Sequence, residues 1–255
     1  MKSQFIRHAR RSAAAFSLLF PVFLTGCGGG EPRVDTKKFS ANWDSAASEH
    51  FTILTPPNSP RKLPALQAFS EVCEDVLSQT RRVIELKDPG RLSIYLFTTN
   101  QDCEAATGHS ASFVEGNNIF TRLGAPIGGV IAEAACNSID PGARSFPLVR
   151  NGLRVLFDQR DRNIHTDAVR LRAAGRLPTM TDLLGGGAIQ DGEAYDYASG
   201  SLVAFLLARY GPDQFKMLWK SVLDLKPSLE RIYGGTMPQM EEEWTKFLDR
   251  EAKRA

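Results

Sequence analysis

Leu92-Ser93-Ile94-Tyr95-Leu96-Phe97 is a run of apolar and aromatic side chains set off by the turn-forming Asp88-Pro89-Gly90. Such a run behind such a turn predicts a buried strand. Upstream, Leu66, Phe69, Val72, Cys73, Val76, Leu77, Val83 and Ile84 recur at helical spacing, which predicts a long amphipathic helix over about 63–86. Before it, Phe51-Thr52-Ile53-Leu54-Thr55 reads as a short strand stopped by Pro56-Pro57. Downstream come a short helix over 101–106 ending at Gly108, then two short strands, 112–114 and 118–122, joined through Glu115-Gly116-Asn117. Past Pro126 the pattern turns helical, over 129–138 and 147–158, with Asp140-Pro141-Gly142 between. The polar stretch 159–176 reads as loop with a helical piece, and Thr181–Leu184 opens a segment that stops at Gly185-Gly186-Gly187. Helices over 195–210, ended by Gly211-Pro212, and over 215–223 and 238–252 complete the chain. Strands early and helices late make an α+β fold, a small N-terminal sheet with a helical C-terminal half.

The first 26 residues have a different character. Lys2, Arg7, Arg10 and Arg11 precede an apolar run from Ala13 to Leu24, the layout of a secretory signal and too short for a spanning helix. Leu24-Thr25-Gly26-Cys27 resembles the lipobox of bacterial lipoproteins. That resemblance implies cleavage before Cys27, acyl chains on Cys27, and a mature protein on a membrane face outside the cytoplasm, in the bacterial cell envelope. Gly28 stands where an Asp is associated with inner-membrane retention, so the outer membrane is favoured in a cell with two membranes. The expected organisation is a signal over 1–26, a Gly-rich lipidated tether over 27–42, and one domain over 43–255. The whole chain carries 31 Lys+Arg and 29 Asp+Glu; without the four signal cations the balance is 27 to 29, or −2. The basic character therefore belongs to the signal and does not argue for nucleic acid as a partner.

Apart from the anchor, the cysteines are Cys73, Cys103 and Cys136. An oxidising compartment permits one disulfide and leaves an odd thiol. Spacing does not choose the pair. Cys73 falls on the apolar face of the long helix, so Cys103 and Cys136 are the preferred partners.

The order of elements resembles the gluzincin (peptidase MA-like) family of zinc metallopeptidases over most of 46–250. Ser48-Glu49-His50-Phe51-Thr52-Ile53 is similar to that family's SxHFxI opening strand. Tyr197-Ala198-Ser199-Gly200-Ser201-Leu202-Val203 and Phe205–Gly211 are similar to its YxxSxSLVxFLxxRYG helix, and Tyr233-Gly234 with Glu243–Leu248 to its closing YG…EEWxxFL. The resemblance implies a zincin-like helical active-site region. There an HExxH helix holds Zn²⁺ with two imidazoles one turn apart, its Glu deprotonates the bound water, and a Glu from the next helix is the third ligand. In this chain the matching window is Ala132-Glu133-Ala134-Ala135-Cys136, and Asn151 stands at the third-ligand position. Only the base position, Glu133, keeps its family residue. The resemblance thus implies the fold without the catalytic zinc, and no cofactor is expected.

Other residues read more plainly. His50 is a structural hydrogen-bonder near the sheet edge, and His109 and His165 have no second His or carboxylate at ligand spacing. Tyr195 and Tyr197 resemble the family's transition-state tyrosine, but helix-start packing is the simpler role. Gly185–Gly187 lacks the Lys-Ser/Thr of a phosphate loop. Arg150, Arg154, Arg160 and Arg162 alternate with Asp158 and Asp161, the pattern of a solvated, ion-paired face. The expectation is an envelope lipoprotein whose inactive metallopeptidase-like domain binds a peptide or an envelope protein by strand addition, in a cleft floored by Glu133, Cys136 and Asn151, with Tyr197 nearby. The alternatives are a peptidase with an atypical metal or thiol site, and a purely structural envelope protein.

Overall fold

A computed structural model describes residues 33–60, 63–142, 145–158, 163–185 and 191–253. The signal, Cys27 and the Gly186-Gly187 pair lie outside these residues. The fold is α+β, with a mixed five-stranded sheet in the N-terminal region and helices beyond it. The strands are β1 (Asp44–Ala47), β2 (Phe51–Thr55), β3 (Leu92–Phe97), β4 (Phe113–Glu115) and β5 (Asn118–Arg122), in the spatial order β1-β2-β3-β5-β4. The central pairs β2–β3 and β3–β5 are parallel, and β1 and β4 pair antiparallel at the two edges.

Register explains why the middle of the sheet is apolar on both faces. Ile53, Ile94 and Ile119 sit side by side across the three parallel strands and are fully buried. On the opposite face Tyr95 stacks on Phe120, and Phe120 on Phe113, with ring centroids 5.0 and 4.6 Å apart. Parallel strands need cover on both sides because each face is a hydrophobic surface.

The isoleucine face is covered by α2 (Leu63–Ile84). Leu66, Ser70, Cys73, Leu77, Thr80 and Ile84 form its buried stripe, at alternating spacings of four and three. Val72 and Val83, which the periodicity had included, are instead 41 % and 40 % exposed. Each lies one residue before a stripe position and so points about 100° away from it.

The aromatic face is covered by α1 (Lys37–Ser40), Trp43 and α3 (Asn100–Thr107), the last opened by a capping box between Thr99 and Asp102. Val34 and Phe39 join this cluster, Trp43 meets Phe97 edge-on at 5.2 Å, and the Val34 N–H donates to the Glu115 carboxylate at 3.0 Å. The folded unit therefore begins at Val34, inside the segment read as tether. Val34 and Phe39 stand alone among charged residues with no period of their own, and only the sheet supplies their partners.

The remaining helices are α4 (Gly128–Asn137), α5 (Pro147–Phe157), α6 (Ile164–Ala173), α7 (Met180–Leu184), α8 (Gly192–Tyr210), α9 (Pro212–Trp219), α10 (Leu225–Tyr233) and α11 (Met237–Ala252). They enclose a second, larger core around α8, whose Ser201 hydroxyl accepts from the Trp244 indole of α11 at 3.1 Å. The run read as one helix over 215–223 ends at Trp219, and α10 follows a turn. Its own pattern, Leu225, Leu229 and Tyr233, is sparse, and Pro227 is accommodated in its first turn, where no intrahelical N–H is required.

Candidate functional site

Helix α4 runs between the two cores. Val130, Ile131, Ala134 and Ala135 belong to the sheet core, while Ala132 and Cys136 belong to the helical core. Every residue from Gly128 to Cys136 is buried. Its N-terminus packs on the end of α5 so closely that a Cβ at Gly128 would lie 2.0 Å from the Phe157 carbonyl oxygen. Here the Gly129 N–H donates to Asp158 Oδ1 at 2.6 Å, placing a carboxylate at the positive end of α4.

Glu133 is the only charged residue on this buried helix, and its side chain is 3 % exposed. A buried carboxylate must be paired. Arg154 of α5 supplies the partner: its Nε donates to Glu133 Oε2 in a short contact, and its Nη1 donates to the Ser112 carbonyl oxygen at 3.2 Å. Arg150, one turn earlier, places Nη1 3.9 Å from Glu133 Oε1. Arg154 thus ties α4, α5 and the approach to the edge strand β4 together. The alternating charges place Arg150 and Arg154 on a solvated face; Arg154 is instead mostly buried against Glu133. The signal for this pairing was present, since a lone Glu in Gly-Gly-Val-Ile-Ala-Glu-Ala-Ala-Cys requires a cation. Arg160, Asp161 and Arg162 lie outside the described residues.

Asn151 is bound on the other side of α5. Its Nδ2 donates to Asp196 Oδ1 at 2.9 Å and to Ser199 Oγ at 2.8 Å, both on α8. Small residues allow the two helices this approach: a Cβ at Gly152 would lie 2.3 Å from the Ser199 carbonyl oxygen, and one at Gly200 would lie 2.8 Å from Val155 Cγ1. Tyr197 is buried in the same helical core. Glu133, Asn151 and Cys136 are therefore neighbours through α4 and α5, but they do not line one open floor. Glu133 and Cys136 are covered, and Asn151 is spent on α8.

The donor set does not fit zinc. Ala132 offers no ligand atom, Asn151 is a neutral amide already bonded, and Glu133 is committed to Arg154. Burial, and then the Glu133 charge, push the Cys136 thiol well above its ordinary range, so it is held as the neutral thiol. A neutral buried thiol is neither a ligand nor a nucleophile. Among the described residues no group of three or more His, Cys, Asp or Glu is placed to hold a metal. The preferred disulfide is also absent: Cys103 and Cys136 are both buried thiols, in the aromatic cluster and the helical core respectively. Each packs as a small apolar group in a different core.

His50 closes a separate corner. Its Nδ1 lies 2.7 Å from Glu74 Oε2 on α2, its N–H donates to Glu74 Oε1 at 2.8 Å, and Ser48 Oγ donates to the same oxygen at 2.6 Å. Burial opposes ionisation of Glu74, but the hydrogen bonds from Ser48 and His50 outweigh it and hold the carboxyl below its usual range. A depressed carboxyl contributes stability that is full above its unfolded pKa and is lost as pH falls through the folded one. Glu74→Gln is accordingly expected to be less stable than the parent at neutral pH, with the gap closing on acidification. Urea midpoints between about pH 6 and about pH 3 check this; a gap that stays constant refutes it.

An open groove lies elsewhere, between α2 and the C-terminal ends of β3 and β5. It has a volume of about 340 Å³ and is lined by Ala65, Phe69, Val72, Leu96, Arg122 and Leu123, among others. Nothing in the sequence singled it out, because its walls come from three separate segments. No family model matches the chain, and no curated protein matches it.

Proposed function

We propose that this chain is a membrane-anchored envelope lipoprotein whose metallopeptidase-like domain is catalytically inactive and serves to bind a peptide or protein partner. The observation that carries the reading is the buried Glu133–Arg154 pair. A catalytic base must face a reacting water, and here the carboxylate at that position is sealed against a guanidinium and acts as a structural counter-ion. Asn151, at the third-ligand position, likewise joins α5 to α8. The positions of the old chemistry have become parts of the frame.

Strand addition at β4 is limited in this arrangement, because β4 is three residues long and Arg154 already holds the Ser112 carbonyl beside it. The groove between α2 and the ends of β3 and β5 better suits a partner's apolar side chain, with Arg122 at its wall for a carboxylate. The test is zinc stoichiometry by elemental analysis on the chain re-exposed to Zn²⁺, together with peptide hydrolysis by the parent and Glu133→Gln. Near-zero zinc and no hydrolysis in either protein are expected. About one zinc per chain, or hydrolysis that Glu133→Gln abolishes, would overturn the reading.

A further inference from the structure

Three large apolar side chains stand in solvent within seven residues of one another. Met217, Val222 and Leu223 are exposed by 54 %, 96 % and 43 %. They occupy the end of α9 and the turn that leads into α10. The base of this turn is bonded: the Ser221 N–H donates to the Leu218 carbonyl at 3.1 Å, the Ser221 and Ser228 hydroxyls are 2.7 Å apart, and Ser228 Oγ donates to the Asp224 carbonyl at 2.7 Å. These bonds hold the base of the turn inward while Val222 faces solvent, the reverse of an ordinary surface loop.

The surroundings of the tip are polar, with three lysines against two aspartates. Lys216 pairs with Asp213 at 2.7 Å, and Lys220 and Lys226 stand exposed on either side of the turn, with Asp224 between them. Lysines beside an apolar tip suit a bilayer interface, where stems lie along the apolar layer and ammonium groups reach the headgroups.

The position of the tip supplies the second argument. Lys216 Nζ reaches the Glu85 carbonyl oxygen at the C-terminal end of α2, at 3.5 Å, and α2 delivers the chain to the start of β3. The starts of β3 and β5 are side by side, with Ser93 opposite Asn118, and Glu115, which holds Val34, lies just before β5. Val34, where the folded unit begins, is therefore at the same end of the sheet as the C-terminus of α2, on which α9 rests. Seven peptide units separate Val34 from Cys27, a reach of at most about 25 Å.

We propose that the Met217–Leu223 tip is a second membrane contact, inserting Val222 and Leu223 into the interface of an anionic bilayer with Lys220 and Lys226 at its headgroups. The inference rests on the lipid-anchored reading of Cys27. A protein partner fits less well, because a projecting tip of three side chains falls far short of the roughly 800 Å² per side of a stable protein interface.

The test uses the full chain on vesicles of phosphatidylcholine with about one quarter phosphatidylglycerol, with doxyl-labelled lipid as the quencher. An indole is introduced by Val222→Trp, and a control indole by Ser110→Trp, an exposed site ahead of β4 at the other end of the sheet. Intact mass reports acylation of Cys27 independently. Lipid quenching of the added emission in Val222→Trp, absent in Ser110→Trp, is the expected result. Quenching without acyl chains keeps the tip and removes the anchor. No quenching with acyl chains present overturns the tip and keeps the anchor; no quenching and no acyl chains removes both. A Val222→Trp emission shift that grows with protein concentration in the absence of lipid marks a protein contact and overturns the proposal.

Discussion

Arg154→Met is expected to cost about 3–5 kcal/mol of unfolding free energy, because it strips the counter-ion from a carboxylate that cannot reach water. Glu133 lies on a helix buried all round, with a side chain 3 % exposed, and among the described residues Arg150 is the only other cation beside it, at 3.9 Å from one oxygen. Methionine keeps most of the volume of the arginine stem, so the loss reports charge rather than packing. The double replacement Glu133→Leu with Arg154→Met removes both charges and should recover most of that loss, since well-packed apolar substitutes for buried ion pairs are often neutral or stabilising. Urea denaturation of the parent, both single variants and the double variant gives the coupling directly. Additive single costs would mean that the pair is no structural unit, and the account of Glu133 as a counter-ion would fail.

Gly152→Ala should destabilise by about 3 kcal/mol, against an intrinsic helix preference of roughly 1 kcal/mol in favour of alanine. The new methyl would meet the Ser199 carbonyl oxygen at 2.3 Å and Val203 Cγ2 at 2.6 Å. The first of these is backbone, so relief requires α5 and α8 to separate, which also stretches the Asn151 bonds to Asp196 and Ser199. Gly192→Ala is the control: it is also helical, and nothing lies within 4 Å of its added Cβ. That variant should be neutral or slightly more stable. Thermal and urea unfolding of the two variants decide the matter, and equal behaviour would show that the α5–α8 contact is not set by glycine.

The two glycines separate what each level of description holds. Helical periodicity placed Gly152 and Gly200 on helices, where an isolated glycine looks like a local weakness. Only the crossing of α5 over α8 turns that weakness into a requirement. The same division applies to Glu133. Its helix and its burial follow from the apolar residues around it, whereas Arg154 reaches it from 21 residues away through the packing of α4 on α5.

The order of strands and helices was legible locally because buried strands and amphipathic helices write their period into neighbouring residues. Leu92–Phe97 and the stripe of α2 are clear cases. Segments without a period of their own were not legible: Val34, Phe39, β1 and α10 gain their structure from partners distant in the chain. By itself the sequence determined the α+β class and the succession of its main elements. The tertiary structure alone decided that Glu133 is a sealed counter-ion, that Cys103 and Cys136 belong to different cores, and that Val222 stands in solvent. Which groups meet is set by what arrives from elsewhere in the chain, and no local pattern records that arrival.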